Sequence, residues 1–361
     1  MSINTHKPKL VFVYLGMNFP DYAKASLELV RRTNDIKIVL LANENVRQQV
    51  CNSNIEFIPV EEFYDTSIFS PIKRANLNSS TFRDGFWLKT LERFFVIEQF
   101  MNAFSEKNIV HAELDQLLFR VDVLSKNLSD AKFSGLMIPF HVPGIAVASV
   151  VFISDASLLT DFVNYSVKQT SFDSEMSLLA KWANGSSFNI CAAPTFSSLI
   201  HTFDYESKIG LPLIDTSTTQ GILDPAQVGQ WVGGIDPRNV PLRLSPINKF
   251  VDPPRDLLLG RDDLSEFVFK FDSVEGFLDV DYRHYSSSRL YNLHLHSKIH
   301  RWLLSDLLTF QAFFDISNQE VPHRFPGTRR TQIGSWIAEM WNAFLSRPIK
   351  SIFSLLHRIL D

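Results

Sequence analysis

The chain has 361 residues, of which 45% are hydrophobic and 20% are charged, which is the composition of a folded globular protein and not of a disordered chain. Lys and Arg number 35 against 39 Asp and Glu, so the net charge of -4 excludes a basic nucleic-acid-binding protein, and we expect no nucleic-acid partner. Two cysteines cannot form a disulfide framework or a cysteine-rich zinc module, which favours a reducing compartment. No uninterrupted apolar stretch reaches roughly 18 residues, and the N-terminus has no signal-peptide pattern.

The first third of the chain alternates strand and helix patterns. Short apolar runs predict strands over residues 9–15, 36–41 and 55–60, with an amphipathic helix over 23–32 and a helical turn over 47–51. This β-α-β-α-β order predicts a parallel sheet with helices on its faces. Such sheets bind ligands at the carboxyl ends of their strands.

The rest of the chain continues the α/β pattern. Residues 65–80 are polar and long for a plain connection, which favours a functional loop. We predict helices over 86–104 and 173–183, strands over 108–119, 133–139, 146–153, 266–271 and 289–295, and a loop-built surface over 212–254.

Two acidic residues lie where the strand predicted over residues 108–119 runs into polar groups. Glu113 and Asp115 are two positions apart, so in a strand both carboxylates project to one side and can face one cation. Their hard oxygen ligands suit Mg²⁺ or Mn²⁺. The alternative is two solvated acids in a turn, a common arrangement.

A second polar group lies near the end of the last predicted strand. His294 and His296 share one strand face there, and a neutral imidazole can join carboxylates around Mn²⁺. Lys298 follows and could neutralise a phosphate. The alternative is a pair of histidines on a polar face.

The loop over residues 221–238 mixes turn formers with Gln, Trp and two Asp-Pro pairs. Aromatic faces and planar polar groups suit sugar rings and hydroxyls, and a compact structural loop is the alternative.

Two helix starts carry further charged residues. Arg83, Lys89 and Arg93 precede the acidic pair and could meet a nucleotide diphosphate, although solvated helix charges are the favoured interpretation for Lys89 and Arg93. Asp173 and Glu175 open a helix, where acids favour the helix dipole; either could also be a general base toward an acceptor hydroxyl.

Other functional motifs are missing. The sequence has no G-x-x-x-x-G-K-[ST] loop, no G-x-G-x-x-G after the first strand, no H-E-x-x-H and no G-x-S-x-G.

Five features follow one another in this order: the α/β opening without a glycine fingerprint, Phe86-Trp87 with Arg93, the His111-Ala-Glu113-Leu-Asp115 segment, the Gly and Asp-Pro loop, and the late His-x-His element. On these features, the chain resembles a GT-A-fold nucleotide-sugar glycosyltransferase of bacterial surface-polysaccharide assembly over about residues 8–300.

The resemblance implies a Rossmann-like mixed sheet with flanking helices, a UDP-sugar or other nucleotide-sugar donor and a Mn²⁺ or Mg²⁺ ion. Glu113-Leu-Asp115 stands where that superfamily has Asp-x-Asp, with Glu replacing the first Asp. Asp115 would be the direct metal ligand, and Glu113 would bind the metal either directly or through water. The resemblance implies metal ligands Glu113, Asp115 and His294 or His296, and donor-binding residues Tyr14, Gly16, Arg83 and Lys298. Near the sugar or acceptor it implies Asp224, Trp231, Asp236 and Arg238. Asp224 is also the rival base to Asp173 and Glu175, because its loop is richer in sugar-binding residue types. A galactan-type galactosyltransferase acting on a lipid-linked glycan is the nearest type.

Two other classes remain open. A metal-dependent phosphoesterase could use the same acids and histidines to activate water. A non-catalytic membrane-surface or scaffold protein would use the tail and not the acidic pair.

The C-terminal tail differs in composition from the body. Residues 329–361 carry five basic residues against two acidic ones and form two amphipathic helical patterns, with Trp336 and Trp341 in the first. Aromatic anchors and positive charge favour an interfacial helix at an anionic membrane. We therefore expect a glycosyltransferase domain over residues 1–300, a connecting helix and linker over 301–328, and membrane-associating helices over 329–361, with the protein peripheral on the cytoplasmic face of the inner membrane. The alternative is that this apolar face packs on the enzyme itself or on a second subunit.

Overall fold

The structure is a computed structural model that describes residues 8–50, 54–75, 85–200, 204–229, 267–272, 275–282 and 285–295. Several residues singled out by the sequence lie outside these ranges: Arg83, Trp231, Asp236, Arg238, His296 and Lys298, together with the whole tail over 329–361. Across the described ranges, no helix is long and apolar enough to cross a membrane.

The fold is mixed α/β, as the sequence predicts, and is built around a seven-stranded sheet. The strands of this sheet are β1 (Lys9–Tyr14), β2 (Lys37–Ala42), β3 (Glu56–Pro59), β4 (Ile109–Ala112), β6 (Leu136–Ile138), β9 (Val150–Ile153) and β10 (Ile190–Ala192). Their order across the sheet is β10-β6-β9-β4-β1-β2-β3. Strand β9 is antiparallel to both of its neighbours, and the other paired strands are parallel.

Smaller sheets complete the β structure. A three-stranded antiparallel sheet and two strand pairs are formed by β11 (Phe267–Asp272), β12 (Phe277–Tyr282) and β13 (Tyr285–Leu290), by β5 (Gln116–Leu118) with β14 (Asn292–His294), and by β7 (Phe140–Val142) with β8 (Ile145–Ala146).

The helices connect the strands and cover the large sheet. They are α1 (Asp21–Thr33), α2 (Arg47–Val50), α3 (Ser70–Ala75), α4 (Phe86–Ala103), α5 (Val121–Asp130), α6 (Ala156–Val167), α7 (Glu175–Gly185), α8 (Phe196–Ile200), α9 (Tyr205–Ile209) and α10 (Thr216–Thr219).

Alternation along β1 shows how the sheet separates two cores. Leu10 and Phe12 pack into one apolar cluster with α1, whereas Val11 packs into the other with α4. Successive side chains of a strand point to opposite faces, so a strand that is apolar at every position is buried on both sides. Helix α4 is apolar on nearly all sides because it lies under the sheet and also contacts α6 and α7.

The segment over residues 108–119 is not one strand, as predicted, but two. Strand β4 ends at Ala112, residues 113–115 form a turn, and β5 begins at Gln116 and pairs with β14 outside the large sheet. The apolar pattern of β4 is interrupted at Glu113, and the chain leaves the large sheet at that point. The predicted loop over 65–80 contains the short helix α3, and helices α5 and α6 lie where no helix was predicted.

The chain reverses its direction of travel across the sheet between β1 and β4. From β1 it proceeds outward to β2 and β3, then returns past β1 to β4 on the other side. In open α/β sheets the crevice at the carboxyl ends of such strands is the usual ligand site. Tyr14 closes β1 at this edge, and Glu113 follows β4 there.

Candidate functional site

The turn between β4 and β5 is held by two neighbouring elements. The Glu113 N–H donates to the carbonyl oxygen of Ser149 at 3.2 Å, and the Leu295 N–H donates to the carbonyl oxygen of Asp115 at 3.0 Å. Strand β14 pairs antiparallel with β5 so that His294 lies opposite Gln116. This pairing carries His294 from the far end of the sequence to the acidic turn.

Glu113, Asp115 and His294 form a compact cluster. The His294 Nε2 atom lies 3.3 Å from Asp115 Oδ1 and 3.5 Å from Glu113 Oε2. One ligand atom from each residue falls within 4.8 Å of the other two. The structure thus brings together the two carboxylates and one of the two histidines that the sequence predicts around a cation. Their role as metal ligands stays a prediction.

The cluster fits a divalent cation by its donor chemistry. Two carboxylates and an imidazole suit Mn²⁺, and carboxylates suit Mg²⁺. Glu113 Oε2 is buried and has no hydrogen-bond partner among the described residues. A buried carboxylate oxygen without a donor is costly, and a cation at this point would satisfy it.

Charge couples the members of the cluster. Burial alone would lower the pKa of His294, but the carboxylates of Asp115 and Glu113 reverse that effect and raise it. Burial alone would raise the pKa of Glu113, but Arg93 and His294 hold it below its ordinary value. The cluster therefore favours ionised carboxylates facing positive charge.

Arg93 of α4 is buried and contacts the cluster, so it does not carry a solvated helix charge, and the interpretation favoured from sequence is wrong for this residue. Its Nη1 donates to Glu113 Oε1 in a close ion pair, and its Nη2 donates to Glu175 Oε1 at 3.2 Å. The signal was present in the sequence: Arg93 lies in a helix with apolar residues on almost every side.

Glu175, the first residue of α7, is also buried, whereas Asp173 is exposed. Burial raises the pKa of Glu175 to about 7, with Arg93 opposing the shift and Glu113 adding to it. Glu175 Oε2 has no hydrogen-bond partner within the described part of the chain. Glu175 thus joins the cluster through Arg93, and the structure brings Asp173 into none of these contacts.

Asp224 is fully buried and organises a loop. Its Oδ1 accepts from the N–H groups of Gln227 and Val228 at 2.7 and 3.0 Å, and its Oδ2 accepts from those of Gly229 and His294 at 2.7 and 3.1 Å. Burial raises the pKa of Asp224, and these N–H donors oppose the shift. This geometry favours a structural role over the predicted role as catalytic base, because its lone pairs are directed at backbone donors.

The same loop lies against β14. A Cβ on Gly229 would lie 2.7 Å from the backbone nitrogen of His294 and closer still to its carbonyl, so only glycine fits there. Asn292 donates to the Asp224 carbonyl and to Gln116 Oε1, both at 2.8 Å, which ties the loop, β14 and β5 together. The sequence predicts a functional or structural loop here, and the described part up to residue 229 positions His294.

Tyr14 and Gly16, predicted to hold the base and ribose, lie at the carboxyl end of β1. The Tyr14 hydroxyl donates to the carbonyl oxygen of Asn18, and its ring packs edge-on against Phe19 with 5.1 Å between ring centroids. A Cβ on Gly16 would collide with the Tyr14 ring. Partial burial raises the pKa of Tyr14. The loop is thus ordered, and its contact with a nucleotide stays a prediction.

Two histidines near the site carry no role in the sequence analysis. His141 lies in β7, shortly after the carboxyl end of β6, and its Nδ1 donates to the carbonyl oxygen of Pro225 at 3.0 Å, because a carbonyl only accepts. His111 Nδ1 donates likewise to Val11 at 3.0 Å. Burial, assisted by Arg93, lowers the pKa of His111 to about 3. A polar residue two positions beyond the end of the strand predicted over 133–139 was the signal for His141.

Comparisons with known proteins find partial backbone likeness only. No family model matches the sequence, and no curated protein matches it. A solved galactosyltransferase, LgtC in complex with donor and acceptor sugar analogs, is similar with 13% identity and a TM-score of 0.35, over 56% of this chain and 83% of that one. Mouse xyloside xylosyltransferase 1 is similar with 8% identity and a TM-score of 0.32, over 48% and 80%. A cytidylyltransferase from Leptospira borgpetersenii is similar with 11% identity and a TM-score of 0.33, over 52% and 76%. Likeness of this degree assigns neither a family nor an activity.

Proposed function

We propose that this protein is a glycosyltransferase that binds a nucleotide-sugar donor in the crevice at the carboxyl ends of β1 and β4. The observation that carries the proposal is the cluster of Glu113, Asp115 and His294 at the point where the chain reverses across the sheet. A glycine-rich phosphate loop is missing from the sequence. A cation held by acidic residues is the usual alternative means of binding a diphosphate.

Asp115, His294 and the Oε2 atom of Glu113 would hold Mn²⁺ or Mg²⁺. When bound, the cation would neutralise charge that develops on the leaving diphosphate. Tyr14 and Gly16 would flank the nucleoside at the end of β1. The Asp224 loop would keep His294 in place through its hydrogen bond to the His294 backbone.

The finer assignment rests on the sequence resemblance. We propose a UDP-hexose donor, with galactose the first choice, and a lipid-linked glycan acceptor of surface-polysaccharide assembly. Lys298 would contact the diphosphate, and Trp231, Asp236 and Arg238 the sugar or acceptor.

We also propose that the tail over 329–361 lies on the cytoplasmic face of a membrane, because its basic, two-sided pattern suits anionic lipid. Co-sedimentation of the full chain, and of a chain ending at residue 328, with anionic liposomes tests this. We expect the full chain to bind anionic liposomes and the truncated chain not to bind them. If neither protein binds, the tail is a packing element and not a membrane anchor.

A thermal-shift panel of nucleotide sugars, with and without Mn²⁺, tests the activity class. We expect stabilisation by one nucleotide sugar only when Mn²⁺ is present. An assay of that donor with and without acceptor then separates transfer from hydrolysis. Rapid hydrolysis that ignores the acceptor would instead indicate a phosphoesterase.

A further inference from the structure

Arg93 binds only one of the two oxygens of the Glu113 carboxylate among the described contacts. Glu113 Oε1 receives the Arg93 Nη1 donor, whereas Oε2 lies 3.5 Å from His294 Nε2 and has no hydrogen-bond donor among the described residues. A carboxylate whose two oxygens have such different surroundings has a fixed orientation. Rotation about the side chain would break the ion pair with the arginine.

Arg93 is itself fixed by a second carboxylate. Its Nη2 donates to Glu175 Oε1 at 3.2 Å, and Glu175 stands at the capped start of α7, where Ser174 and Ser177 hold the first turn. The planar guanidinium can hold two carboxylates in set directions at once, which a lysine ammonium cannot do with the same geometry. Helices α4 and α7 are thus both connected to Glu113.

Burying the charged side chains of Arg93 and Glu175 costs free energy, and a contribution to fold stability does not explain why they are charged. The side chains of Arg93 and Glu175 are 9% and 4% exposed. Burying charges is expensive, and apolar residues in their place are often as stable. A charged pair retained beside a ligand cluster fits a role in orienting a ligand, since outer partners of metal ligands set their direction and basicity.

We propose that Arg93 is a positioning residue that presents Glu113 to the cation through Oε2 alone, and that Glu175 serves by anchoring Arg93. This inference rests on the proposed metal site. It gives Glu175 an orienting role in place of the predicted role as general base. Neither Arg93 nor Glu175 would contact the cation itself.

Calorimetric titration of Mn²⁺ into the full-length protein tests the inference. Arg93→Lys keeps the charge but loses the two-pronged geometry, and we expect Mn²⁺ affinity to fall about 10–100-fold. Arg120→Lys is the matched control, because Arg120 also forms a two-pronged pair, with Asp122, and its side chain is 24% exposed. We expect that variant to bind Mn²⁺ as the wild type does.

A double-mutant cycle separates positioning from general packing. If Arg93 acts through Glu113, Arg93→Lys will change Mn²⁺ affinity little when Glu113→Gln is already present. Equal losses in both backgrounds would overturn the inference, as would an Arg93→Lys protein with wild-type affinity.

Glu175 variants supply an independent comparison if Arg93→Lys does not fold. Glu175→Gln keeps an oxygen acceptor for Nη2 and should bind Mn²⁺ with nearly wild-type affinity, whereas Glu175→Ala should bind it several-fold more weakly. Equal affinities of these two variants would contradict the anchoring role. A wild-type protein that binds no Mn²⁺ overturns the inference together with the metal site, whereas Mn²⁺ binding without sugar transfer overturns only the proposed activity.

Discussion

Asp224 Oδ2 accepts a hydrogen bond from the backbone N–H of His294 at 3.1 Å. The fully buried carboxylate of Asp224 thereby fixes the position of a residue whose ring lies 3.3 Å from Asp115. The loop that carries Asp224 and the acidic turn after β4 consequently meet at His294, and damage to the loop should appear as damage to the cluster.

Asp224→Asn should destabilise the fold as well as reduce activity. The amide NH₂ would face backbone N–H donors, leaving at least one buried group without a partner, at a cost of roughly 1–3 kcal/mol. Chemical denaturation measures this change. An Asp224→Asn protein with wild-type stability and no turnover would instead support the predicted role as catalytic base.

Gly229→Ala should weaken both stability and Mn²⁺ binding, because the added Cβ would overlap the backbone of His294. We expect a loss of about 1–3 kcal/mol of stability. Gly185→Ala is the control, since its Cβ would meet no heavy atom within 4 Å. Similar melting temperatures and Mn²⁺ affinities for the two variants would show that the loop does not position His294.

His111 should make the protein less stable in mild acid. Its pKa is about 3 in the fold against an ordinary 6.5, so the unfolded chain takes up a proton first. The stabilisation is complete above pH 6.5 and is lost as the pH falls toward 3, by up to about 1.4 kcal/mol per pH unit.

His111→Asn keeps a donor toward the Val11 carbonyl and does not titrate. Urea denaturation of both proteins between pH 7 and pH 4 measures how steeply the free energy of unfolding falls with pH. We expect the fall to be shallower for the variant than for the wild type. Superimposable pH profiles would show that His111 titrates normally.

The sequence predicts the first three strands of the sheet well, but it does not predict β10. Strands β1, β2 and β3 and helices α1 and α4 lie within a few residues of their predicted ranges, because short buried strands and an amphipathic helix have clear apolar periods. The acidic pair is also visible in the sequence, but it lies in a turn after β4 and not on one face of a strand as predicted.

The contacts that assemble the site were less predictable. His294 reaches Asp115 only because β14 pairs with β5, and long-range pairing of two three-residue strands leaves almost no local pattern. Arg93 was misread because charge in a helix usually indicates a solvated face, whereas here two buried carboxylates neutralise it. The roles of Arg83, His296, Lys298 and Trp231 stay predictions, since these residues lie outside the described ranges.

Asp115→Asn tests the cluster most directly. Its side chain is only 19% exposed and Oδ1 faces His294, so the amide keeps the shape but removes the charge that would face a cation. Asp130→Asn is the control, because Asp130 forms an exposed ion pair with Lys126 on α5. Circular dichroism should show that both variants fold.

The decisive measurement is calorimetric titration of UDP-galactose into the wild type and into Asp115→Asn, each with Mn²⁺ and with excess chelator. The account predicts binding to the wild type that requires Mn²⁺, and a loss of at least about a hundredfold in Asp115→Asn, since removal of a ligand should exceed the roughly 10–100-fold effect of an outer partner. Equal UDP-galactose affinity in all four titrations would contradict it.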